Sequence, residues 1–304
     1  MAAQEHAPEL TQLVAEVRRI EVQSKRLVTE MLAGSYRSVF RGAGIEFDEV
    51  REYIDGDDPR SVDWNVTARV GKPYIKKYVD ERALTVLFIL DLSESMSGGF
   101  GLWSARQVAA RVVASLGLSA VRNNDRVAFV ALSDQVEKWL PPRKSTGHAL
   151  RIIRDCLALP ATNKRTRFDP AFEFVGSVLR DGAIVFLISD FLCDGWFRSM
   201  SRFALRHDLV AVRLLTPELE PPDAGMMRLK DPETGAESVI DWSHPQDRDA
   251  YIANVAAWRS RTEADLRRAQ VDLVDVPMPW EPDRNVVMRP LLRFFNMRAW
   301  RGRR

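Results

Sequence analysis

The stretch from Thr85 to Ser97, TVLFILDLSESMS, constrains this chain more than any other. Val86 to Leu90 is an unbroken apolar run. It lacks the polar alternation of a half-exposed strand and reads as a strand at the centre of a parallel sheet covered on both faces. Sheets of that kind gather ligands where their strands end. Here that end carries Asp91, Ser93 and Ser95, one carboxylate and two hydroxyls in an Asp-x-Ser-x-Ser loop. Hard oxygen donors suit Mg²⁺, with Mn²⁺ or Ca²⁺ as alternatives. The same residue types also start helices, so the loop alone reads equally well as a helix cap.

Two further features give the loop company. A second apolar run, Ala183 to Ser189, also ends in an acid, Asp190, and Thr166 precedes a helical apolar pattern at Phe168, Phe172, Val175 and Leu179. Asp-x-Ser-x-Ser, then Thr, then Asp resembles the metal-ion-dependent adhesion site of von Willebrand factor A domains. In a metal-site reading, Ser93 and Ser95 bind the cation directly through their hydroxyls. The resemblance implies that Asp91 and Asp190 act mostly through bound waters, that Thr166 joins when the site is engaged, and that one position is left for an Asp or Glu carboxylate of a protein partner. One departure stands out: this chain reads Lys164-Arg165-Thr166-Arg167 where relatives approach the threonine through glycines, which leaves Thr162 as an alternative. A basic rim of Lys164, Arg165 and Arg167 would favour acidic partners. An acid beside Mg²⁺ could also serve as a phosphoryl acceptor, with Asp91 as nucleophile. Phosphohydrolases of that type place a second Asp two residues on, where this chain has Ser93, and none of His6, His148, His207 or His244 sits in a motif with the site. The expectation is therefore a binding site rather than an enzyme, with an unmetallated structural protein as a third reading.

At 304 residues, with 46% hydrophobic and 28% charged residues, the composition is that of a globular protein. A formal net charge of +2 gives no polyelectrolyte for nucleic acid. Cys156 and Cys193 suit a reducing compartment: Cys156 shares an apolar stripe with Ile152, Ile153 and Leu157, and Cys193 lies just past Asp190 as an inert thiol. No apolar run approaches the ~20 residues of a membrane span, and Met-Ala-Ala-Gln-Glu-His is not the start of a signal peptide. The expected location is the cytoplasm.

The alternation of apolar runs and amphipathic segments after residue 82 predicts a doubly wound, mostly parallel α/β sheet over residues 82–280. A β-hairpin inserted near 226–241 flanks the turn sequence Asp231-Pro-Glu-Thr-Gly235. Residues 281–304 form a basic tail with a helix packing Leu291, Leu292, Phe294 and Phe295. Residues 1–81 form an N-terminal extension packed on the main domain: an amphipathic helix from Leu10 toward Leu32, then short β pieces including Glu49–Tyr53, Thr67–Arg69 and Tyr74–Lys77. Asp55, Asp57, Asp58 and Asp63 invite a second metal site, but Arg51, Arg60 and Arg69 are interleaved with them, and an ion-pair network is the better reading. The run from Glu46 to Arg69, together with Asp91-x-Ser-x-Ser-Met, His207-Asp208 and Asp231-Pro-Glu-Thr-Gly235, resembles the bacterial DUF58 family. That resemblance implies a von Willebrand factor A-like fold and a partnership with MoxR-type AAA+ ATPases.

Overall fold

The computed structural model describes residues 10–27, 49–54, 57, 62–77, 83–98, 101, 103–160, 165–179, 182–223, 225–278 and 285–301. In chain order the elements are α1 (Leu10–Leu27), β1 (Glu49–Glu52), α2 (Trp64–Val70), β2 (Tyr74–Lys77), β3 (Thr85–Asp91), α3 (Glu94–Ser97), α4 (Ala105–Arg122), β4 (Arg126–Leu132), β5 (Val136–Arg143), α5 (Thr146–Ala158), α6 (Asp169–Val178), β6 (Ile184–Ser189), α7 (Phe197–Ala204), β7 (Asp208–Leu215), β8 (Met226–Lys230), β9 (Glu237–Asp241), α8 (Pro245–Arg268), β10 (Asp272–Pro277) and α9 (Met288–Arg301).

β3 is the spine of a six-stranded sheet in the order β10-β7-β6-β3-β4-β5. Every residue of β3 from Val86 to Asp91 is buried, because successive side chains point to opposite faces and both faces are covered. Val86, Phe88 and Leu90 enter one core with Val108, Val112 and Leu116 of α4, Ile152 and Cys156 of α5, Ile20 of α1, and Leu291 and Phe295 of α9. Leu87 and Ile89 enter the other with Phe172 and Val175 of α6, Met200 and Phe203 of α7, and Leu266 of α8. Each such side chain contributes about 1.5–3 kcal/mol by leaving water, so this run can only lie inside. Within this sheet all pairings are parallel except that of β4 with β5. The chain is thus mixed α/β with a mostly parallel central sheet, as its alternating pattern predicts.

α4 opens with a capping box in which the Ser104 hydroxyl accepts from the Gln107 backbone N–H and the Gln107 side chain accepts from the Ser104 N–H. It is buried on nearly all sides because α1 and α5 cover the face that the sheet does not. Arg111 of α4, only 7% exposed, donates to Glu16 of α1 at 2.7 Å and lies over the Trp103 ring at 4.0 Å. At the far end of the sheet, Arg298 of α9 donates to Asp208 at 2.8 Å and to Asp272 at 2.6 Å, so the basic C-terminal helix is stapled to the starts of β7 and β10. No helix among the described residues is long and apolar enough to cross a membrane.

Two local expectations need correction. β5 was not foreseen; it carries Pro141 and Pro142, which a central strand rejects. As the antiparallel edge of the sheet it tolerates the missing donors, and Trp139 packs edge-on against Phe174 at 5.5 Å. Thr67–Arg69, read as a β piece, belongs to α2. Asp63 caps that helix, its Oδ1 accepting from the Val66 N–H at 3.3 Å and its carbonyl from the Thr67 N–H at 2.9 Å, and Gly71 at φ +78° closes it. The flanking pieces do pair as β1 with β2, antiparallel. Asp57 also serves a local turn, its Oδ2 accepting from the Ile54 N–H at 3.0 Å. Asp55, Asp58 and Arg60, the β pieces before residue 49, and residues 302–304 of the tail lie outside the described residues.

Candidate functional site

β3 and β6 are parallel neighbours, yet the chain leaves β3 for β4 on one side and leaves β6 for β7 on the other. Where successive connections diverge in this way a crevice opens beyond the carboxyl ends of the strands. Asp91 ends β3 and Asp190 follows β6, so the topology alone brings the two acids to one crevice. Both are buried, with 0% and 3% of their surface exposed.

A continuous chain of polar contacts links Asp91, Ser93, Ser95, Thr166 and Asp190. Asp91 Oδ1 accepts from the Ser93 N–H at 2.8 Å, which turns the backbone back over the carboxylate. The hydroxyls of Ser93 and Ser95 are 3.1 Å apart, and that of Ser95 reaches Asp190. Thr166 Oγ1 lies 3.2 Å from Asp91 Oδ2. Thr166 is held there from behind, because the Arg167 N–H donates to the Ser133 carbonyl beyond β4 at 2.9 Å and Phe168 is buried between the rings of Phe172 and Phe191. Thr166 thus lies at the crevice; Thr162 lies outside the described residues.

Two residues at the site were not singled out in the sequence. Ser189, the last residue of β6, donates to Asp91 Oδ2 at 2.6 Å and accepts from the Phe191 N–H at 3.0 Å. Its signal in the sequence is only its place beside Asp190 at a strand end. Glu233 comes from the turn of the β8–β9 hairpin, and its Oε1 lies 3.1 Å from Thr166 Oγ1. The sequence identifies that turn but not where it points. Phe191 also sits at φ +60°, a conformation that costs a bulky residue free energy. Its ring packs against Phe168 and Trp196, and its carbonyl accepts from the Trp258 indole at 3.2 Å. These contacts hold the turn that aims Asp190 into the crevice.

Burial sets the electrostatics. Desolvation, then the nearby charge of Asp190, pushes the Asp91 carboxyl up to about 7, against the pull of the Ser189 hydrogen bond. Asp190 is also raised by burial, offset by the Leu192 N–H and the Ser95 hydroxyl. Glu233 is raised by burial, against its Thr166 hydrogen bond, with Asp190 and Asp231 adding to the rise. Among the described residues no Lys, Arg or His forms an ion pair with any of these three carboxylates. Cys193 stands at the margin, its thiol raised by burial and then by the charges of Asp91 and Asp190. Cys156 is fully buried in the core.

The donor set fits a hard divalent cation. Thr166 has one hydroxyl proton, yet two carboxylates approach its oxygen, and a hydroxyl donates one hydrogen bond at a time. Either one acid keeps a proton or a positive charge lies among these oxygens. Among the described residues no three acidic, His or Cys side chains close on one point, so a cation would lean on hydroxyls and water beside the acids, which Mg²⁺ accepts. Of the expected basic rim, Arg165 and Arg167 are exposed, and Arg167 lies 3.8 Å from Asp169; Lys164 lies outside the described residues. His207 belongs to the opposite end of the sheet, where its Nδ1 accepts from the Ala183 N–H at 3.2 Å.

Residues 49–261, more than half of the chain, match the family model described as protein of unknown function DUF58. The chain belongs to that family. It is 28% identical over 270 residues to the uncharacterised protein Rv1480 of Mycobacterium tuberculosis, an alignment spanning 87% of this chain and 84% of that one. It is 36% identical over 134 residues to the uncharacterised protein MAV169 of Mycobacterium avium, covering 42% of this chain and 78% of the other. Among solved structures, BatB from Bacteroides thetaiotaomicron aligns with 72% of this chain over its own full length, at a TM-score of 0.43 and 14% identity.

Proposed function

We propose that this DUF58 protein is a von Willebrand factor A-like interaction module that binds a partner's Asp or Glu carboxylate through a divalent cation, Mg²⁺ in the first instance. The observation that carries this reading is the convergence of Asp91, Ser93, Ser95, Thr166 and Asp190 on one crevice, with buried acids that lack a basic partner among the described residues. Ser93, Ser95 and Thr166 would offer hydroxyl oxygens, and Asp91 and Asp190 would balance the charge and orient waters. Bound there, the cation supplies an electrophilic point at which a carboxylate from outside can dock. Arg165 and Arg167 favour acidic segments around that docking point.

Binding is favoured over phosphoryl transfer by the state of Asp91. Its oxygens face the Ser93 N–H and the hydroxyls of Ser189 and Thr166, and its side chain is closed off from solvent. A nucleophile needs an oxygen free to meet the substrate. By family resemblance the partner is a MoxR-type AAA+ ATPase, for which this protein acts as adaptor or assembly factor in the cytoplasm. Capture on the immobilised protein tests the reading. A MoxR-type ATPase should be retained with Mg²⁺ and released by chelator, and Asp91→Ala should retain none. Equal retention by both proteins, with or without metal, contradicts it.

A further inference from the structure

Among the described residues, the β8–β9 hairpin is the one element whose tip enters the crevice from outside the sheet. Its strands are largely exposed, Met226 by 73% and Val239 by 59%, so little apolar burial holds it down. Its base is fixed: Trp242 is 2% exposed and packs edge-on against Tyr251 at 5.0 Å, and the Trp242 N–H donates to the Gly225 carbonyl at 3.2 Å. Its tip is rigid. Asp231 Oδ1 accepts from the N–H groups of Glu233 and Thr234 at 2.9 and 3.2 Å, the Gly235 N–H donates to the Asp231 carbonyl at 2.9 Å, and Gly235 takes φ +73°. Asp231, Pro232, Thr234 and Gly235 are exposed while Glu233 is half-buried. Of the whole turn, only the Glu233 carboxylate is directed inward, onto Thr166.

We infer that Glu233 is an intramolecular carboxylate ligand of this site, standing where an external acid would dock, so that a partner must displace the hairpin tip before it can bind. This rests on the cation reading given above and specifies how that site is regulated. The preformed turn lets Glu233 reach the site at little cost in chain ordering, and the exposed strands let it leave without uncovering a core. An acid supplied in the same chain competes at high effective concentration. Weak or isolated acids are therefore refused, and a partner succeeds only by adding contacts of its own.

Titration of the full-length protein with Mn²⁺, read by electron paramagnetic resonance and by water-proton relaxation, tests this in wild type, Glu233→Gln and Asp91→Ala. Glu233 sits on a turn, so Glu233→Gln keeps the fold. Glu233→Gln is expected to bind Mn²⁺ roughly 10–100-fold more weakly and to show greater relaxation enhancement per bound ion, because water takes the vacated position. It should also bind free acetate in the presence of Mn²⁺, which wild type should not. Equal Mn²⁺ affinity, relaxation enhancement and acetate response in wild type and Glu233→Gln, with Asp91→Ala losing the ion, overturn the Glu233 inference and leave the cation site standing. Mn²⁺ binding that is absent from wild type or unaffected by Asp91→Ala overturns both.

Discussion

Asp91 is ionised in water and reluctant to be so in the fold, and stability must follow from that. Its affinity for a proton is higher folded than unfolded, so its contribution to metal-free stability is intact below about pH 4, the unfolded value. That contribution is lost as pH rises through about 7, the folded value. Thermal melts of chelated protein should fall over that window, and Asp91→Asn should flatten the fall; an unchanged slope would show that another group carries it. Phe191 makes a second case. Its ring is 1% exposed at a backbone angle that suits glycine, so Phe191→Ala should cost about 3–5 kcal/mol in denaturant unfolding, while a loss under about 1 kcal/mol would mean the rings around it close up. Asp91, Ser93, Ser95, Thr166 and Asp190 were legible in the sequence because each lies at or just past the end of a strand, or just before or in the first turn of a helix, where apolar runs give way to oxygen donors. Glu233 was not, because its role depends on where a turn points across 67 residues of chain, and no local pattern encodes that.

Elements declared themselves to the extent that burial imposed a pattern on them. β3 from Val86 to Leu90 and β6 from Ile184 to Ile188 are apolar throughout because both their faces are covered. β5 lies at the edge and half of it meets water, so its prolines and charges hid it. α2 is one short helix set by Asp63 and Gly71 rather than by an apolar stripe, and Thr67–Arg69 read as strand for that reason. α1 shows what an outer helix does: Ile20 is fully buried against α4 and α5, while Val14 and Val22, which share its apolar spacing, are exposed. Ile20→Ala should therefore cost about 2–5 kcal/mol, and Val22→Ala close to nothing. Glu16→Ala should cost about 1–3 kcal/mol, because it leaves the Arg111 guanidinium buried without its carboxylate. Urea unfolding of the three variants checks this ordering, and equal losses at Ile20 and Val22 would contradict the way α1 is docked.

The molecule as a whole places buried acids at the point where its sheet changes direction and sets the largely exposed β8–β9 hairpin over them, with Glu233 beside Thr166. Arg165 and Arg167 stand exposed next to Thr166, so reversing both to Glu should slow association with an acidic partner and flatten its salt dependence. Ser93→Ala should instead shorten the lifetime of the complex. Unchanged association kinetics in the double reversal would remove the rim from recognition. The central claim, that Asp91, Ser93, Ser95, Thr166 and Asp190 together hold a divalent cation, is reached most directly by thermal unfolding with and without Mg²⁺ at pH 8. A ligand that binds only the folded state raises its stability, and pH 8 lies above the raised Asp91 value of about 7. Mg²⁺ should raise the melting temperature of wild type and leave that of Asp91→Ala unmoved; the same response in both proteins, or none in wild type, would contradict the account.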